Sequence, residues 1–167
     1  ISKLSENNIK IIFCDEKRNP VAEVSSLYGS HNTSQRVQSQ IEWSYENKQK
    51  IWKKVIQNKI RNQAKLLKRF DKIEWKILDG YISSVQDGDI TNREGFAAKV
   101  YFNALFGQRF LRSDGENEIN RFLDYGYSLI LSTFNREIVK NGNLTQIGIN
   151  HRNYFNQFNL SSDLMEP

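Results

Sequence analysis

Glu94, His151, Asp163 and Glu166 are the side chains from which metal-assisted phosphodiester chemistry could be built. That chemistry holds a hard divalent cation on carboxylate oxygens, sometimes with one imidazole, in a surface positive enough to retain a polyanion. His151 is one of only two histidines, and Asp163 and Glu166 follow it by twelve and fifteen residues. Spacing alone leaves each residue a plainer role. Glu94 stands three residues after Thr91 in TNRE, the spacing of a capping box, and local sequence favours that cap. Asp163 and Glu166 suit the first turn of a helix opened by Ser161 or Ser162, where the helix dipole favours acids. His31, in GSHNTS, reads as a loop or capping residue, and Cys14 as inert packing inside an apolar strand.

Other chemistries lack their usual sequence basis. No GxxxxGK[ST] phosphate loop, GxGxxG turn or GxSxG elbow occurs. The single cysteine rules out an internal disulfide and a paired-cysteine zinc site, and fits a reducing cytosol. What the chain does offer is positive charge. Residues 48–72 hold ten Lys and Arg against one acid, Asp71. Such self-repulsion is relieved by a polyanion, which makes Lys53, Lys54, Arg61 and Lys65 candidate DNA contacts, with Arg93 beside Glu94 a further one. These groups would bind phosphates and give salt-sensitive affinity with little base preference. A non-catalytic DNA-binding scaffold, with Glu94 as a cap and His151 as a buried hydrogen bonder, is therefore an alternative to an enzyme.

The elements that must position these groups follow from the apolar pattern. Residues 9–16, IKIIFCDE, read as a buried strand, and residues 21–28 as a second. From Ser34 the period becomes helical through Val37, Ile41, Tyr45, Trp52, Val55, Ile56, Ile60, Ala64 and Leu67. No Pro or Gly interrupts Ser34 to Asp79, and the stripe through Leu67 predicts one long helix with room for one break. Further helical patterns cover residues 75–85, 91–107 and 119–139, the last closed by Asn141-Gly142. The fold class is α+β. A chain of 167 residues, 38% hydrophobic and 26% charged, is one ordinary domain or one plus a fragment, and is not compositionally disordered. No run approaches the roughly 18 apolar residues of a membrane span, and ISKLSENN lacks the apolar core of a signal peptide.

Three segments together resemble the Cas1 family of CRISPR-associated integrases: IFCDEKRNPVAEVSSLYGSH, NREGFAAKVYFNALFG, and INRFLDYGYSLILSTFNREIV through GINHRNYFNQFNLSSDLMEP. The likeness is to the type II form, whose last motif typically continues past DLMEP into Phe, Arg and Pro. The resemblance implies that residues 1–32 are the end of an N-terminal β-rich domain and its linker, and residues 33–167 an α-helical catalytic domain lacking its C-terminal part. It implies that Glu94, His151 and Glu166 bind Mg²⁺ or Mn²⁺ and carry catalysis, with Asp163 supporting. Where many relatives have Asp at the last ligand position, this chain has Glu166. It further implies a homodimer, assembly with a small partner protein, Cas2, double-stranded DNA as substrate, and a prokaryotic cytoplasmic setting. The activity implied is insertion of short duplexes into a CRISPR array by attack of a DNA 3′-hydroxyl on a phosphodiester. Glu94, His151 and Glu166 must then converge.

Overall fold

A change from strand to helix period near residue 33 governs what positions the site. The computed structural model describes residues 1–7, 9, 11–16, 20–24 and 32–167, which fall into two compact units: Ile1–Trp43 with Leu123–Met165, and Ser44–Phe122 with Glu166–Pro167. His31 and residues 25–30 lie outside the described residues, so the reading of His31 as a loop residue is not tested.

In the first unit a short helix α1 (Ser2–Glu6) precedes strands β1 (Ile11–Cys14) and β2 (Pro20–Val24), which pair antiparallel with Ile11 opposite Val24 and Phe13 opposite Ala22. The fold is thus α+β, mainly helical with this small sheet. The expectation of a buried strand is corrected: Ile11 and Ile12 are half-buried, while Phe13 and Cys14 are exposed. A ribbon of two strands has one neighbour per strand and cannot enclose both of its faces, so an apolar run does not guarantee burial here. Cys14 is accordingly a surface thiol and not core packing. Helix α2 (Thr33–Ile41) contributes the buried Gln40, whose side-chain amide donates to the carbonyls of Leu144 (2.8 Å) and Ile147 (2.9 Å) and accepts from the Leu144 amide (2.9 Å). This three-way bond pins the segment that leads toward His151.

The second unit is built on α3 (Tyr45–Arg69), capped by Ser44, whose hydroxyl accepts from the Asn47 amide. Trp52, Ile56, Ile60, Ala64 and Leu67 form its buried stripe, packed with Leu78 of α4 (Trp75–Ser84) and Ala97 of α5 (Arg93–Phe106) in the unit's core. The long helix expected from Ser34 through Leu67 breaks at residues 42–44, the one break that reading allowed, and a second break at 70–74 separates it from the apolar stretch expected from Trp75. Neither break uses Gly or Pro: the Ser44 cap starts α3 anew, and Asp71 ends it with a left-handed φ of 54°. Helix α6 (Glu118–Lys140) starts in the second unit and continues into the first. It ends as anticipated at Asn141-Gly142. Gly142 takes φ 75°, its amide bonds to the Val139 carbonyl, and the Asn143 amide reaches back to Ile138, the paired bonds of a Schellman end. Helix α7 (Asn159–Leu164) completes the first unit. Its bounds place Ser161 and Ser162 inside the helix and not at its cap, put Asp163 near its end and leave Glu166 beyond it. Among the described residues no helix is long and apolar enough to cross a membrane.

Candidate functional site

Two Asx residues in the left-handed region aim Glu94. Asn92 (φ 51°) is the N-cap of α5, its side chain accepting from the Gly95 amide at 3.2 Å. Asp89 (φ 50°) supplies a second cap, Oδ1 accepting from the Arg93 amide and Oδ2 from the Glu94 amide, each at 2.9 Å. The capping box read from Thr91 to Glu94 is therefore corrected. The helix starts one residue later than that motif requires, and among the described residues the buried Thr91 hydroxyl has no hydrogen-bond partner. With the first-turn amides already satisfied by Asp89 and Asn92, the Glu94 carboxylate has no backbone to serve.

It turns instead to Lys59 of α3. Lys59 Nζ donates to Glu94 Oε1 at 2.6 Å and also to the carboxylate of Glu166, so two acids far apart in the sequence close on one ammonium. All three side chains are largely but incompletely covered, at 19%, 30% and 21% exposure for Lys59, Glu94 and Glu166. Burial by itself pulls the Lys59 pKa down, but the charges of Glu166 and then Glu94, with their hydrogen bonds, outweigh it and hold the group above the ordinary lysine value. The arrangement is a cation gripped by two carboxylates.

In the other unit His151 rests on Asp163, which is fully buried. Asp163 Oδ2 accepts from the amides of Ile149 (2.5 Å) and Asn150 (3.1 Å), and Oδ1 from the amide of His151 (3.1 Å). His151 Nδ1 meets the same Oδ1 at 2.7 Å. Three N–H groups already point at this carboxylate, so it acts as acceptor and Nδ1 as donor, which leaves the lone pair on Nε2 and orients the ring. The loop tolerates no side chain at Gly148, where an added Cβ would lie 2.6 Å from the His151 carbonyl and 2.7 Å from Asp163 Oδ2.

The structure thus gathers the candidates into two pairs, Glu94 with Glu166 and His151 with Asp163. Among the described residues no group of three or more His, Cys, Asp or Glu side chains surrounds a single metal position. The donor chemistry of the first pair nevertheless fits a hard divalent ion, since its oxygens already grip a positive charge.

Of the candidate DNA contacts, Lys54, Arg61 and Lys65 are exposed on α3. With Lys50 and Lys68 they fall within about 60° of one another around the helix. Lys53 instead pairs with Asp87 at 3.1 Å, and Arg93 lays its guanidinium over Tyr81 and Phe96 at 5.6 and 5.9 Å. Lys59 and Asp89 were not singled out by the sequence reading. A signal for Lys59 existed: of the ten bases in 48–72, only Lys53 and Lys59 lie within about 80° of the apolar stripe's centre, and both reach acids on other segments.

The family model for CRISPR associated protein Cas1 matches residues 1–167, and the chain belongs to the Cas1 family. It is 33% identical over 168 residues to the CRISPR-associated endonuclease Cas1 of Neisseria meningitidis serogroup C (strain 8013), covering all of this chain and 55% of that protein. Its fold matches a casposase bound to integration product, with TM-score 0.68 and 22% identity over 98% of this chain and 54% of that one. It also matches a chain of a Cas6-RT-Cas1–Cas2 complex, with TM-score 0.65 and 19% identity over 99% of this chain and 20% of that one. The chain spans about half the length of the curated relatives it matches.

Proposed function

We propose that this chain carries the catalytic part of a divalent-metal-dependent DNA integrase and endonuclease, which joins short duplexes into a CRISPR array through a DNA 3′-hydroxyl and cuts DNA when water takes that role. The observation that carries the reading is the closure of Glu94 and Glu166 on one cationic head group, in a chain that matches the Cas1 family throughout. Glu94, Glu166 and His151 hold Mg²⁺ or Mn²⁺, and Asp163 fixes the His151 ring and tautomer. The bound ion supplies Lewis-acid polarisation of the scissile phosphate. The exposed bases of α3 hold the duplex by its phosphates. We place the domain boundary near residue 32, with the β1–β2 ribbon ending a β-rich domain. The working protein is a cytoplasmic prokaryotic homodimer joined to Cas2, a partner supported by the likeness to a chain of a Cas6-RT-Cas1–Cas2 complex.

The test is strand transfer of a labelled duplex with 3′-hydroxyl ends into a plasmid bearing a repeat and leader, using the complete protein with Cas2 and Mn²⁺. Joined product is expected for the wild type and is lost with EDTA and in His151→Ala. Salt-dependent DNA binding with no joining or cutting by the intact assembly would instead favour the scaffold. A second expectation concerns α3. Replacing Lys54, Arg61 and Lys65 together with Gln should lower the slope of log affinity against log salt by about 2–3 and weaken binding to unrelated duplexes alike, as read by fluorescence anisotropy. An unchanged slope would remove this face from the DNA path.

A further inference from the structure

Among the described residues Lys59 is the one base of α3 whose ammonium two acids share, and its position raises a question that the metal reading does not answer. An ammonium within hydrogen-bond reach of Glu94 Oε1 and the Glu166 carboxylate would compete with a divalent ion for those oxygens, since it draws on the same lone pairs and its charge repels the ion. Without any cation, two half-buried carboxylates brought this close would repel each other. Lysine suits an exchange between the two states, being a compact charge on a flexible four-carbon stem that can withdraw along the helix surface.

We propose that Lys59 is a tethered placeholder cation: it holds Glu94 and Glu166 together before metal arrives, and gives up its place when a divalent ion loads. This rests on the reading of those two glutamates as metal ligands. Lys59 is thus a positioning residue that acts through the carboxylates, and it sets how readily the site takes metal. If the ammonium vacates the site about one-tenth of the time, apparent metal affinity is lowered about tenfold relative to a site without it. A purely structural ion-pair triad would be indifferent to the divalent ion.

The test uses the complete protein with its partner and Mn²⁺ alone as the probe. Free Mn²⁺ is titrated by electron paramagnetic resonance for the wild type, Lys59→Met, Lys59→Gln and the double variant Glu94→Gln with Glu166→Gln. The two Lys59 variants are expected to bind Mn²⁺ about tenfold more tightly, as that occupancy requires. In the unaltered protein, reductive methylation read by mass spectrometry should show Lys59 protected in EDTA and several-fold more reactive once Mn²⁺ is added, with Lys54 unmoved. This second readout needs no variant to fold. Unmoved Lys59 reactivity in a wild type that binds Mn²⁺, or unchanged Mn²⁺ affinity in a folded Lys59→Met protein, overturns the proposal. A wild type whose Mn²⁺ binding is no different from that of the double glutamine variant overturns the metal-ligand reading beneath it.

Discussion

Replacing Asp163 with Ala is expected to cost about 3–5 kcal/mol of folding stability, the range for uncovering a buried charged acceptor's partners. Asp163 is fully buried and gathers the amides of Ile149, Asn150 and His151 together with the His151 ring. Alanine leaves three backbone donors facing a small void, and the tight packing around Gly148 gives the loop little room to close over it. Urea unfolding of the complete protein measures this, and a loss below about 1 kcal/mol would show that water replaces the carboxylate without penalty. Asp163→Asn separates fold from site. The amide keeps the shape and one acceptor. With its oxygen toward Ile149 and Asn150, its NH₂ faces His151 Nδ1, which must then accept, and the proton moves to Nε2. Stability should fall less than in the Ala variant, while strand transfer falls by about 10- to 100-fold, the usual effect of losing the group behind a ligating histidine. Nitrogen-15 correlation spectra of the ring would report the tautomer directly.

The contrast between these two carboxylate sites shows what a linear sequence can carry. Period and punctuation were legible: the helical stripe of α3, the end of α6 at Gly142 and the α+β class all follow from local spacing and turn chemistry. Breaks made by side chains were not. Ser44 and Asp71 interrupt the helical pattern without Gly or Pro, so the apolar period allows a break there but does not mark the residue that makes it. The same limit applies at Glu94. Local sequence offers Thr91 as the cap, but Asp89 and Asn92, both in the left-handed conformation that Asx side chains tolerate, take the amides first. What Glu94 does is then decided by Lys59 and Glu166, which no local window contains. Likewise the acids after Ser161 suggested a dipole effect, whereas Asp163 lies in the last turn of α7 and works on a loop twelve residues earlier. The residues that could do chemistry were picked out by the family resemblance, since spacing alone left each of them a plainer role. Their partners are tertiary facts.

Glu94→Gln and Glu166→Gln, made singly, are expected to abolish strand transfer, a loss on the order of 10³-fold or more, while disturbing the fold little. The size of the activity loss follows from charge. Glutamine keeps the length and the oxygen of each side chain but removes the anion that a divalent ion requires, and the remaining carboxylate is not enough to hold it against water. The small cost in stability follows from the same geometry read without metal. Each single variant leaves Lys59 one carboxylate and a neutral oxygen in place of the second, and with 19–30% of these side chains exposed the loss should be about 1 kcal/mol. Glu166→Asp is the sharper probe. It restores the charge on a side chain one carbon shorter, so Lys59 and metal must both come closer to reach it, and activity recovers only as far as the surrounding chain can move. Joining measured beside urea midpoints for all three variants distinguishes the roles. Parallel losses in both would make the glutamates structural, whereas joining lost at nearly unchanged stability places them at the reacting phosphate.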